Sequence, residues 1–139
     1  MATFVIDASA TLPWCFADEA TPATNLLLAR LRSGDEAIVP AHWPLEVANA
    51  LLIAVRRKRI SVEDAQQFLD DLEVLPIQVE TADRKSLRKR VFLLAKQSNL
   101  TAYDAAYLEL AARERLPLAT LDRELRETAR EASVALAEL

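Results

Sequence analysis

Glycine is nearly missing from the 139-residue chain: there is one, Gly34. This excludes the glycine-rich loops that cradle nucleotide phosphates, which need several glycines for close backbone approach. It also disfavours a hairpin-rich fold, whose tight turns draw on glycine. One cysteine, Cys15, leaves no internal disulfide and no cysteine zinc site. Cys15 reads as a small buried hydrophobe. One histidine, His42, has no second His or Cys to join it, which removes a structural zinc site and argues against Ser-His or Cys-His chemistry. No apolar run reaches the ~20 residues of a membrane span, and the N-terminus lacks a charged start or cleavage site. A soluble, cytoplasmic protein with no membrane partner is expected. Positive charge is short as well: 17 Lys and Arg face 21 Asp and Glu, a net charge of −4. That is not the basic footprint of a typical nucleic-acid-binding domain.

What remains is an ordinary globular balance, 52% hydrophobic and 27% charged, in a chain long enough for one domain with a real core. We read residues 1–139 as that single domain. Phe4-Val5-Ile6 is a short apolar run that predicts a buried strand, ending at Asp7. Thr21-Pro22 starts a helix and Ser33-Gly34 stops it. Ala37 to Pro40 is a second strand. Pro44 opens a long helix with Leu45, Ala48, Leu51, Leu52 and Val55 as its expected core stripe. Ser61 starts another, with Ala65, Phe68, Leu69 and Leu72 inward. Leu75 to Val79 is a third strand, whose Pro76 suggests either an edge strand or the strand's first residue.

Thr81 is expected to cap a basic helix with Leu87, Val91, Leu94 and Ala95 buried. Thr101 caps the next helix, Tyr103 to Arg115, which is apolar nearly all round and so deeply packed. Pro117 to Leu121 is a fourth strand, an exposed charged helix follows from Asp122, and Ser133 to Leu136 is a fifth strand. Strands alternating with helices predict an α/β fold, a parallel sheet with helices on both faces.

In such sheets, ligands bind at the carboxyl ends of the strands. Asp7 ends the first strand, Glu46 lies in the first turn after the second, and Asp122 follows the fourth. Asp104, in the first turn of the deeply packed helix, joins them if that helix starts at the same edge. Taken singly, each acid is well explained as a helix cap or a first-turn carboxylate. Four carboxylates at one place, however, repel one another strongly without a cation. A hard ion that takes carboxylate and water, Mg²⁺ or Mn²⁺, suits such a cluster.

Val5-Ile6-Asp7-Ala8-Ser9, Glu46-Val47-Ala48-Asn49, Tyr103-Asp104-Ala105-Ala106-Tyr107 and Thr120-Leu121-Asp122 resemble, in order and spacing, the motifs of PIN-domain ribonucleases. Size and element pattern are similar to the VapC-type toxins of type II toxin–antitoxin pairs. The resemblance covers essentially the whole chain. It implies a three-layer α/β/α sandwich with a central five-stranded parallel sheet, and a Mg²⁺-dependent endoribonuclease. It also implies an antitoxin partner and a homodimer.

On this basis Asp7, Glu46, Asp104 and Asp122 are the expected catalytic acids, with Asp7 and Asp104 as direct metal ligands. Ser9 and Thr120 are candidates to hold a carboxylate or the water around the ion, and Asn49 to reach the site or substrate. Helix capping, or for Asn49 a polar side chain simply facing water, explains these three nearly as well. Arg56-Arg57-Lys58-Arg59, and Arg84-Lys85 with Arg88-Lys89-Arg90, are the local basic clusters available to RNA phosphates. Both also read as solvated helix faces. Trp14, Phe16, Leu26, Leu27 and Trp43 are mostly core, with some of them available to line a groove for an antitoxin helix.

Three other readings compete. A PIN-fold RNA-processing nuclease would act without an antitoxin, and a metal- or RNA-binding module would keep the fold without cutting. A receiver-like phosphoryl-transfer domain would want a lysine after a late strand, where this chain has Thr120-Leu121-Asp122.

Overall fold

The computed structural model describes residues 1–81 and 85–139. The chain runs β1 (Thr3–Ile6), α1 (Ala8–Thr11), two 3-10 turns (Leu12–Trp14 and Ala17–Glu19), α2 (Pro22–Arg32), β2 (Glu36–Val39), α3 (Trp43–Arg56) and α4 (Val62–Glu73). It continues through β3 (Ile77–Val79), α5 (Lys85–Ser98), α6 (Ala102–Glu114), β4 (Leu118–Ala119) and α7 (Arg123–Glu131). Arg84, and the first turn expected after Thr81, lie outside the described residues. No helix among the described residues is long and apolar enough to cross a membrane.

The helix starts follow local chemistry. Thr21 and Thr24 form a reciprocal capping box with Pro22 in the first turn of α2. Ser61, Thr101 and Asp122 each accept a backbone N–H at the start of α4, α6 and α7, each cap worth about 1 kcal/mol. α2 ends at Ser33, after which Gly34 takes φ +111°, a conformation open to glycine.

All strand pairs are parallel, in the order β3-β2-β1-β4. Right-handed crossovers then place α1 to α4 on one face and α5 to α7 on the other. β1 is central and Phe4, Val5 and Ile6 are fully buried. β3 is an edge strand, one of the two placements Pro76 suggested, and Pro76 directly precedes its first residue. The expected fifth strand is reduced to a single parallel bridge between Leu118 and Leu136, flanked by hydrogen bonds from Leu118 N–H to Ala135 and from Ala137 N–H to Leu118. The four-strand sheet is thus extended by one contact. β4 itself is two residues long, so it offers a fifth strand little to pair with.

α6 is as deeply packed as expected, burying Ala105, Tyr107, Leu108, Leu110 and Ala111. α4 turns Ala65, Phe68 and Leu72 inward, with Leu69 half-buried. On α5, Leu87, Val91, Leu94 and Ala95 are only half-buried. Near the N-terminus Phe16, Leu27 and Trp43 are core, Trp14 is half-buried and Leu26 is exposed.

The stripe of α3 departs from expectation. Trp43, Val47, Leu51 and Ala54 face the core, whereas Leu45 and Leu52 are exposed. Both sets have helical spacing, so periodicity does not choose between them. Trp43 chooses: its large ring buries more apolar area than Leu45 would, and its indole N–H points to Thr11 Oγ1 at 3.4 Å. Leu51→Ala (1% exposed) is expected to cost about 2–5 kcal/mol. Leu45→Ala (75% exposed) should stay within about 0.5 kcal/mol. Urea unfolding of the two variants checks the orientation of the helix.

Candidate active site

The crossovers from β1 and β4, two neighbouring strands, leave on opposite faces of the sheet. This is the switch point at which open α/β sheets form a crevice. Asp7 leaves β1 there, and Thr120 and Asp122 leave β4. The register pairs Ile6 with Ala119, and Asp7 N–H donates to the Ala119 carbonyl at 3.1 Å. Asp7 and Thr120 therefore meet side by side.

Asp7 is 5% exposed. Its Oδ1 accepts from Ser9 Oγ at 2.7 Å and from Ala10 N–H at 3.1 Å, so Asp7 also caps α1. Its Oδ2 accepts from Thr120 Oγ1. Ser9 Oγ in turn accepts from Leu121 N–H at 2.8 Å, and Thr120 Oγ1 from Asp122 N–H at 3.0 Å. Arg126 donates to the Thr120 carbonyl at 2.8 Å. Two hydroxyls thus stitch the end of β1 to the start of α7.

Glu46 comes from α3. It accepts from the Tyr107 hydroxyl at 2.6 Å, and His42 Nε2 lies 3.0 Å from the same oxygen, Oε1. The His42 contact is close but carries no well-directed hydrogen bond from Nε2. His42 also stacks edge-on against Tyr107, with ring centroids 5.1 Å apart. Asp104, half-buried at the start of α6, feels the charges of Asp122 and Glu46. Asp122 caps α7 through Oδ1, which accepts from Leu125 N–H at 2.9 Å. Asn49 is exposed on α3, one turn beyond Glu46.

Electrostatics record the crowding. Burial pushes Asp7 up to about 6, against the opposing pull of the hydrogen bonds from Thr120, Ser9 and Ala10, while the charge of Asp104 adds to the rise. Burial raises Asp104 too, with Asp122 and Glu46 adding to the rise. For Glu46, burial opposes ionisation, but His42 and the Tyr107 hydroxyl outweigh it and hold the carboxyl below its ordinary value. Tyr107 is pushed well up by burial and by Glu46, with Asp7 and Asp104 contributing, so its hydroxyl remains a donor. Asp104 is the link: it acts on Asp7 and feels Asp122 and Glu46, which brings the four acids into one neighbourhood.

Sequence reasoning missed Tyr107 and His42 as the partners of Glu46. The signal was present: His42 lies one turn before Glu46, and Tyr107 one turn after Asp104 on the same face of α6.

The donor set suits a hard cation. It is oxygen-only, and Asp7, Asp104 and Asp122 form no ion pair with Lys or Arg among the described residues. Within those residues no three His, Cys, Asp or Glu side chains stand close enough to chelate one ion between them. Mg²⁺ does not require that, since it keeps several waters and takes one or two carboxylates.

The raised value of Asp7 fixes a sign. Between its ordinary unfolded value of about 4 and its folded value of about 6, the native state holds the extra proton, so stability falls as pH rises through that window. Above it the full penalty stands. In metal-free protein, Asp7→Asn is therefore expected to stabilise the fold near neutral pH by up to about 3 kcal/mol, with the gain fading toward about pH 4. Thermal unfolding in EDTA across that range measures it.

Residues 4–131 match the family model of the PIN domain. The chain is 34% identical over 121 residues to Ribonuclease VapC12 of Mycobacterium tuberculosis, covering 87% of this chain and 88% of that one. Its fold is similar to the crystal structure of PAE2754 from Pyrobaculum aerophilum, with a TM-score of 0.70, 26% identity, and coverage of 92% of this chain and 87% of that one. It is also similar in fold to VapBC2 from Rickettsia felis bound to a DNA fragment from their promoter, with a TM-score of 0.66, 13% identity, and coverage of 99% and 98%. With strand-end acids gathered at the switch point of a parallel sheet and a family match over nearly its whole length, the chain belongs to the PIN-domain family.

Proposed function

We propose that this chain is a Mg²⁺-dependent endoribonuclease, the toxin of a type II toxin–antitoxin pair, acting in the cytoplasm, with Mn²⁺ as a substitute for Mg²⁺. The observation that carries the proposal is the meeting of Asp7, Glu46, Asp104 and Asp122 around a buried, unneutralised carboxylate. The similarity to Ribonuclease VapC12 points the same way.

Asp7 and Asp104 are the residues that would hold the ion, with Glu46 and Asp122 acting directly or through water. When bound, such an ion lowers the pKa of a coordinated water and offsets charge on the phosphate oxygens. The chain's own groups do the positioning. Ser9 and Thr120 fix both oxygens of Asp7. Tyr107 and His42 fix Glu46. Asp122 has Oδ1 committed to the helix cap, and Oδ2 has no hydrogen-bond partner among the described residues, so it can orient a water.

Of the basic clusters, Arg59 is tied to Asp18 and Glu19 and lies over the ring of Phe16. Arg56, Arg57, Lys58, Lys85, Lys89 and Arg90 are exposed and remain available to phosphates. An antitoxin segment suits the open cavity of about 830 Å³ between the Trp14–Ala17 turn and α4, whose walls include Trp14, Cys15, Phe16, Ile60 and Phe68. A second copy would cover the exposed apolar side chains of α3 and α5, Leu52, Ile53, Phe92 and Leu93.

Asp7→Asn and Asp104→Asn are each expected to reduce RNA cleavage to background while keeping a wild-type circular dichroism spectrum. EDTA should stop the wild-type protein, and added Mg²⁺ or Mn²⁺ should restore it. Expression in a bacterial host should arrest growth, and Asp7→Asn should abolish the arrest. Wild-type cleavage by purified Asp7→Asn protein would remove the metal-site assignment.

A further inference from the structure

Tyr103 precedes Asp104 in the first turn of α6, and its ring is 65% exposed. Single exposed aromatics are common on protein surfaces and need no function. Three observations set this one apart. First, it stands at the acid cluster rather than on a distant face. Its ring centroid lies 5.6 Å from that of His42, whose Nε2 is 3.0 Å from Glu46. Second, it is braced. His42 is wedged between Tyr103 and Tyr107, and Tyr107 is anchored on Glu46 by its hydroxyl. One side of the Tyr103 ring is thus supported while most of its surface stays open. Third, the Tyr103 hydroxyl makes no hydrogen bond among the described residues, so nothing in the fold explains the ring by its polar end.

The surroundings say what such a ring would receive. The site gathers four carboxylates in a chain of net charge −4. Of the two cations at the start of α7, Arg126 is committed to the Thr120 carbonyl and Arg123, the residue after Asp122, is exposed to solvent. Four carboxylates repel a polyanion, so a contact that does not depend on charge is of most use close to them. Stacking of a base on an aromatic face supplies it, because every nucleobase has a π-face. A base must be unpaired and splayed out to stack in this way.

Resting on the ribonuclease reading above, we propose that Tyr103 is the stacking platform for the nucleobase next to the scissile phosphate, with His42 as the positioning residue behind it. The platform selects unpaired RNA at the cleavage position.

The test uses the full chain and a short single-stranded oligoribonucleotide carrying 2-aminopurine, whose fluorescence is quenched by stacking. Titration in EDTA separates binding from cutting. Wild-type protein and Tyr103→Phe should quench the probe at one position along the oligonucleotide, and Tyr103→Ala should not. With Mg²⁺, Tyr103→Ala should raise KM on the order of tenfold with kcat within about twofold, and Tyr103→Phe should match wild type. Annealing the complementary strand should abolish the difference between the variants. Equal quenching and equal KM for Tyr103→Ala and wild type would overturn the platform while leaving the nuclease standing, and would assign the ring to a protein-facing surface. Quenching by wild type but not Tyr103→Ala, without cleavage in Mg²⁺, would support the platform and overturn the nuclease. Neither quenching nor cleavage would overturn both.

Discussion

A carboxylate at the end of a fully buried central strand is the constraint around which this molecule is arranged. Leaving Asp7 bare would cost several kcal/mol. The fold instead supplies two hydroxyls and a backbone N–H, from Ser9, Thr120 and Ala10. The same hydroxyls take the N–H groups of Leu121 and Asp122. The polar contacts of the acid and the start of α7 are thus one network, and the parallel register of β1 and β4 makes it possible. A one-residue slip would turn Thr120 to the other face of the sheet and separate it from Asp7.

That network satisfies Asp7 without neutralising it, and this is its chemical point. A lysine or arginine in the same place would have lowered the pKa and closed the site to a further cation. Hydroxyl donors instead hold both oxygens in fixed positions; burial raises the carboxyl more than these hydrogen bonds lower it, so it stays up at about 6. Glu46 is treated differently. Tyr107 and His42 stabilise its ionised form, so two acids in one neighbourhood are pushed in opposite directions. A site with one acid held ionised by its partners and another carrying a buried, uncompensated charge is suited to taking up a cation, because the ion offsets the charge that burial leaves unpaired.

Much of this was legible in the sequence, because the signals were local. The apolar run before Asp7, the Thr101 cap and the apolar girth of α6 each stated an element by its own chemistry. What was hidden depended on tertiary competition. α3 carries two apolar stripes at helical spacing, and only the docking of Trp43 on Thr11 decides between Leu45 and Val47. The fifth strand had apolar residues but only the two-residue β4 to pair with. The partners of Glu46 were concealed because Tyr107 reads as core and His42 as an isolated histidine. Each becomes polar machinery only when α3 and α6 meet.

The His42–Tyr107–Glu46 contact also ties the two faces of the sheet together. α3 lies on one face and α6 on the other, and they meet beyond the strand ends, where no strand separates them. Tyr107 reaches that edge from a buried position, so the strength of its hold on Glu46 depends on how α6 is seated in the core. Arg113, on the same helix, fixes the seating from the other end by joining Glu109 to Glu80, the residue after β3. A helix gripped at both ends cannot tilt without breaking one set of polar contacts. Tyr103 and Asp104 sit on its first turn, so the presentation of the acid and of the open aromatic ring is set by the same rigid body.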